Sequence, residues 1–226
     1  MPDTIVELQG YDKDQIDMME ENCIVVDDKD SIIGKDTKVN CHLGEGKLHR
    51  AFSVLLFNSE NKLLIQKRAS EKITFPSIWA NSCCSHPLYS DNEEDGIIGA
   101  KKAAKRKLSQ ELGINTSLIE LHDIQYITKM HYRSRADKKW IEHEIDYIFV
   151  IKKDLDIIPN SNEIEQTKYV DQNELQLLFD AADNKSITIG PWFRLIKENF
   201  LNDIWDALDD LKEITDDKLH YMGDCE

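Results

Sequence analysis

The sequence predicts an α/β or α+β fold in a single domain, and three observations carry that prediction. Strand-like runs precede and surround a few helical ones. No repeat, low-complexity tract or Pro/Gly/Ser-rich linker divides the 226 residues. Hydrophobic residues make up 41% of the chain against 31% charged, which suits a globular core and argues against disorder.

DKDQIDMMEEN (12–22) reads as a short polar helix. CIVVDDKDSIIG (23–34) reads as strand, Asp-rich turn, strand. A loop with two glycines, CHLGEGKLH, follows. AFSVLLF (51–57) and KLLIQKR (62–68) flank NSEN, which predicts a hairpin. From Ile98 to Leu112 the period turns helical: Ala100, Ala103, Ala104, Leu108 and Leu112 share a stripe, and Gly113 stops the helix. IQYITKMHY (124–132) and EIDYIFVIK (144–152) read as longer strands. DQNELQLLFDAA (171–182) opens with a D-x-x-E capping box. WFRLIKENFL and DIWDALDDLKE predict a helical C-terminal extension over 201–226, with Ile204, Leu208 and Leu211 on one face.

The net charge of -15 argues against nucleic acid or an anionic membrane as partner, since both need a basic face. A small anionic substrate stays possible if a local basic cluster exists. No apolar run approaches the ~20 residues of a membrane span. No secretory signal stands at the N-terminus, and the five cysteines are an odd number, so the reading is a cytoplasmic protein with free thiols or metal ligands.

Three of the seven histidines, His42, His49 and His86, fall at suggestive places, although any one alone reads as an ordinary packed or surface histidine. In IEHEID, strand alternation puts Glu142 and Glu144 on one face and His143 on the other. Two carboxylates on one face need a cation or a proton between them; the bland alternative is a solvated edge strand. Three imidazoles and two carboxylates would suit a divalent metal, and octahedral coordination better than a closed tetrahedral zinc site.

In NSCCSHP (81–87) the adjacent cysteines are poorly spaced for a zinc staple and strained for a disulfide. If His86 faces a metal, Cys84 shares its face and Cys83 does not, so Cys84 is the reactive candidate; both could instead be buried small hydrophobes. Lys38, Arg68 and Lys72 would be solvated if taken singly, and a local positive cluster if taken together.

RKLSQELGI (106–114) resembles the end of the Nudix box, G-x5-E-x7-R-E-U-x-E-E-x-G-U, with Arg106, Leu108, Glu111, Gly113 and Ile114 matching. Ile98, Lys107 and Gln110 stand where that box has glutamates. One acidic residue cannot hold the cations that activate water for hydrolysis, so the expectation is a Nudix-like mixed sheet sandwiched between helices, without the usual hydrolysis.

NCHL…KLHRAFSVLLFN, LLIQKRASEKITFPSIWANSCCSHP, RKLSQELGI, W-x-EHEIDY and ITIGPWF, in that order, resemble type I isopentenyl diphosphate isomerase, eukaryotic branch, over about residues 23–200. The resemblance implies an enzyme of isoprenoid biosynthesis that interconverts isopentenyl and dimethylallyl diphosphate by a 1,3 double-bond shift. It implies Cys84 and Glu144 as acid/base groups, Tyr132 beside the glutamate and Trp192 facing the isoprenoid. It implies Lys38, Arg68, Lys72 and Ser85 on the diphosphate. It implies His42, His49, His86, Glu142 and Glu144 around one divalent metal (Mg²⁺, Mn²⁺ or Zn²⁺), and Glu111 on a second, Mg²⁺. The partner is then the isoprenoid diphosphate itself, and the chain is read as a monomer. The family often has glycine where this chain has Ser77, so that loop is expected to differ. The competing readings are a Nudix-type diphosphate hydrolase and a non-catalytic metal- or partner-binding module.

Overall fold

A computed structural model describes residues 8–225. The first seven residues, which include the stretch read for a signal, and Glu226 lie outside the described residues.

The polar N-terminal segment forms α1 (Lys13–Met19), capped by the Asp12 carboxylate, which accepts from the Asp14 and Gln15 amides. The strand–turn–strand reading is met by β1 (Asn22–Val26) and β2 (Ile32–Thr37), paired antiparallel. A single turn and a half of helix, α2 (Lys38–His42), follows, with Thr37 Oγ1 accepting from the Asn40 amide.

β3 (His49–Phe57) is the spine of the sheet, buried along its whole length. It runs parallel to β8 (Ile141–Lys152), which pairs antiparallel with β7 (Gln125–Arg135). Three strands share the other edge of β3 in turn: β1 at His49, β6 (Cys83–Ser85) at Phe52–Val54, and β4 (Leu63–Arg68) at Phe57. The expected β3–β4 hairpin is therefore a single register pair, Phe57↔Leu63. β4 splays away to pair with β5 (Trp79–Ala80) and β9 (Ile164–Val170). Apolar runs on both sides of NSEN signal two strands but cannot say that other partners take their edges.

The sheet is covered on both faces, so β3 and β8 read as continuous apolar runs rather than alternating ones. Phe52, Val54, Leu56, Ile145, Tyr147 and Phe149 pack towards the alanine stripe of α3 (Gly96–Leu112). Leu55, Phe57, Ile148 and Val150 pack towards α4 (Gln172–Asp183), α5 (Pro191–Ile196) and α6 (Asn202–Asp206). The predicted capping box of α4 is present in full, and Gly113 caps α3 at φ 64°.

The C-terminal extension departs from expectation. A π-helical turn, Lys197–Leu201, joins α5 to α6, and helix ends at Asp206 apart from a short 3₁₀ turn at Leu211–Ile214. The chain then forms β10 (Leu219–Cys225), parallel to β7. Ile204, Leu208 and Leu211 are buried as the helical pattern required, but LHYMGDC has strand character only because β7 offers it an open edge. Among the described residues no helix is long and apolar enough to cross a membrane, and all five cysteines are free.

Candidate active site

The pairing register brings the site together. Across three neighbouring strands, His49 of β3 lies opposite Glu144 of β8, which lies opposite Tyr132 of β7. His42 arrives from the end of α2 and His86 from just beyond β6. The ligand atoms of His42, His49, His86 and Glu144 all lie within 4.8 Å of one another, and all four residues are buried.

The histidines are held in the tautomer that metal binding requires. His42 Nδ1 sits 2.8 Å from the Lys38 carbonyl and His49 Nδ1 sits 2.7 Å from the Lys47 carbonyl. A carbonyl only accepts, so each Nδ1 carries a proton and, in the neutral ring, Nε2 is left as the metal-binding atom. Those two Nε2 atoms have no hydrogen-bond partner. They converge on Glu144 Oε1, at 3.6 Å and 3.4 Å, with His86 Nε2 at 2.8 Å. Buried lone pairs aimed at one carboxylate oxygen fit a cation between them. Burial pushes His42 down to about 4 and His86 well below its usual value, against the pull of Glu144, so both imidazoles are neutral. At His49 burial acts the same way, but Glu144 and Cys41 outweigh it and raise the ring to about 9, so without a cation it holds a second proton. Burial alone would raise the Glu144 carboxyl, but the three imidazoles gathered around its Oε1, with His86 Nε2 hydrogen-bonded at 2.8 Å, outweigh it and hold it ionised. Glu142 is not one of these four; its Oε2 lies 2.9 Å from the Tyr132 hydroxyl.

The Tyr132 hydroxyl lies 2.9 Å from Glu142 Oε2 and 2.7 Å from Glu144 Oε2. It has one proton to donate to two acceptors. Burial, and then the charge of Glu144, raise Glu142 well above the carboxylate range. A protonated Glu142 therefore donates to the Tyr132 oxygen, and Tyr132 donates to Glu144. Asp146 continues the same face and is likewise raised by burial and by Glu144; the E-x-E-x-D alternation would have found it.

One cavity is lined by Lys38, Arg68, Lys72, Cys84, Ser85, His86, Tyr132, Glu142, Glu144 and Trp192 together, which brings ten of the sequence-predicted residues to one place. The Arg68 guanidinium is anchored by donating to the Phe75 and Thr74 carbonyls at 3.0 Å and 2.9 Å, and its Nη1 lies 3.8 Å from Cys84 Sγ. Lys72 is buried and donates to Glu163 Oε2 at 2.6 Å. Burial lowers it to about 8, although Glu163 opposes the shift. Glu163 was invisible to sequence reading, because a loop carboxylate 91 residues away in sequence has no local signal. Glu111 does not line the cavity. It pairs with Lys107 at 3.3 Å and lies on the α3 side against Cys83.

The two cysteines separate as strand alternation predicts. Cys83 is fully buried in the α3 face, whereas Cys84 is half-buried in the cavity. Burial pushes the Cys84 thiol up to about 12, opposed by Arg68, so at neutral pH it holds its proton. Trp192 Nε1 donates to Asn81 Oδ1 at 2.9 Å, which pins the indole against the cavity. A Cβ on Gly190 would stand 2.9 Å from that ring, so only glycine permits the approach. Ser77 adopts φ 60° and Phe75 φ 49°, which gives the reason glycine suits the loop where this chain carries serine.

The NUDIX domain profile matches residues 47–193. The isopentenyl-diphosphate Delta-isomerase 1 of Bos taurus is 46% identical over 224 residues, covering 96% of this chain and 99% of that protein. The isopentenyl-diphosphate delta-isomerase of Gibberella zeae is 47% identical over 211 residues (89% and 82%), and the isopentenyl-diphosphate Delta-isomerase of Dictyostelium discoideum 45% over 224 residues (95% and 94%). A crystal structure from Deinococcus radiodurans shares the fold at TM-score 0.58 and 16% identity, over 80% of this chain and 99% of that one.

Proposed function

We infer that this chain, which belongs to the isopentenyl-diphosphate Delta-isomerase family on a Nudix domain, is itself an isomerase that interconverts isopentenyl and dimethylallyl diphosphate. The observation that carries the reading is one cavity that holds two separately built proton carriers, Cys84 and the Glu142–Tyr132–Glu144 chain. A 1,3 double-bond shift adds a proton to one carbon and removes one from another, so it needs two such groups. In the reverse direction they exchange roles. Each is worth on the order of 10²–10⁴ in rate.

The intermediate of such a shift is a tertiary carbocation, which water would capture. The reaction needs bulk water kept from that cavity, and the buried Trp192 offers π-electron density that stabilises a cation without bonding to it. Lys38, Arg68, Lys72 and Ser85 form the polar end that receives the diphosphate, inside a chain of net charge -15.

His42, His49, His86 and Glu144 would hold a divalent metal, with Glu142 beside them through Tyr132. Bound there, it would hold Glu144 ionised and in position. Mixed imidazole and carboxylate donors suit Mn²⁺ or Zn²⁺, and Mg²⁺ is the third candidate. Glu111, the one box acid left, would be the residue for a second cation, Mg²⁺, although it stands outside the cavity lining and is paired with Lys107. With Ile98 exposed and Lys107 paired to it, the helix lacks the acidic set that hydrolysis of a diphosphate requires. Five free thiols support a cytosolic setting, and we read the working unit as a monomer.

The test is incubation with isopentenyl diphosphate and Mg²⁺ in D₂O, followed by NMR. Deuterium in dimethylallyl diphosphate is the expected result. Free phosphate would instead identify a hydrolase, and unchanged substrate a binding module.

A further inference from the structure

The sheet carries a second histidine pair on the face turned away from the cavity. His143 stands between Glu142 and Glu144 on β8, so alternation points it the other way. His131 on neighbouring β7 meets it diagonally across the ladder, since His143 lies opposite Arg133. Their Nε2 atoms face each other at 3.0 Å, with the rings stacked at 22°. The pair lines an open cavity of about 490 Å³, together with Glu45, Arg133, Tyr221 and Asp224. Nothing in the isomerase reading uses it.

From these positions the geometry points to a second transition-metal site, built on His131 and His143 and separate from the His/Glu cluster. Two Nε2 atoms 3.0 Å apart subtend about 95° at an ion held ~2.0–2.1 Å from each. That angle matches the cis angle of square or octahedral coordination, the geometry that Ni²⁺ and Cu²⁺ take. In the metal-free protein one Nε2–H donates to the other Nε2; on binding, that proton would move to the same ring's Nδ1, leaving both Nε2 lone pairs for the ion. Among the described residues no carboxylate stands with the two imidazoles as a ready third ligand. Glu45 and Asp224 both line the cavity, and Arg133 reaches each, Glu45 in a close pair and Asp224 at 3.9 Å. An ion would draw one of them from the guanidinium or fill its remaining positions with water. Tyr221 packs edge-on to His131 at 4.8 Å, so occupation would also tie β10 to the sheet.

Ni²⁺ is the probe, since Cu²⁺ would react with the free thiols. Wild type and His131→Gln are dialysed against micromolar free Ni²⁺, and the metal bound per chain is counted. Wild type is expected to retain one ion more than the variant, and Ni²⁺ to raise its Tm further. Equal content would overturn the proposal. Should the variant misfold, wild-type NMR decides. Ni²⁺ should broaden the His131 and His143 ring signals along with those of the main cluster, and broadening confined to His42, His49 and His86 would overturn it.

Discussion

Single side chains in this site are distinguished by what surrounds them rather than by type. Cys83 and Cys84 are neighbours, yet one lies in the core and the other in the cavity. Cys84→Ala should lose on the order of 10²–10⁴ in initial rate. Cys83→Ala should keep most of it and lose about 1 kcal/mol of stability. Equal inactivity in two folded variants would refute the assignment. Lys72 makes a pH prediction. Its ammonium is the acid form, lowered to about 8, so the charge we propose for attracting the diphosphate disappears as pH rises through that value. KM should climb on that limb, and Lys72→Arg, which keeps its charge, should flatten it. Glu163→Gln removes the group that opposes the shift and should move the limb to lower pH. Ser77 sits at φ 60°, so Ser77→Gly should raise stability by up to about 1 kcal/mol, readable as a Tm gain.

Elements place these residues through a few specific joints. The end of α3 is one. Its last carbonyls are met from outside: the Ile158 amide donates to Leu112 O and the Asn160 amide to Glu111 O, both at 2.8 Å. That strap delivers Glu163 to Lys72. Gly113 makes the joint possible, because a Cβ there would stand 2.3 Å from the Ile158 carbonyl. Gly113→Ala should therefore cost at least ~1–2 kcal/mol in a denaturant titration and weaken substrate binding through the displaced Glu163. A variant with unchanged stability and KM would contradict that link. The periodicity of α3, its glycine stop and the capping box of α4 were legible because each is local. The edge partners of β4 and the strand at 219–225 were not, because strand pairing depends on which edges remain open after the rest has folded.

At the scale of the whole molecule, the His/Glu cluster joins α2, β3, the segment after β6, and β8. A metal held there would link parts of the chain about a hundred residues apart, so its removal should be felt globally. Chelation is expected to lower Tm by on the order of 5–10 °C, with readdition restoring both Tm and activity. Unchanged Tm after verified metal loss would show that the cluster stands without it. Residue order and type alone determined the fold class, the Cys84/Cys83 division, the shared face of Glu142 and Glu144, and the absence of the hydrolase acids, since each follows from backbone periodicity or from a motif in a fixed order. Only the tertiary structure decided that Glu142 supports Tyr132, that Glu163 holds Lys72, and that His131 meets His143. These are contacts between strands and loops distant in sequence. Their distances are set by sheet register and by the burial that shifts each proton, and no local pattern along the chain encodes either.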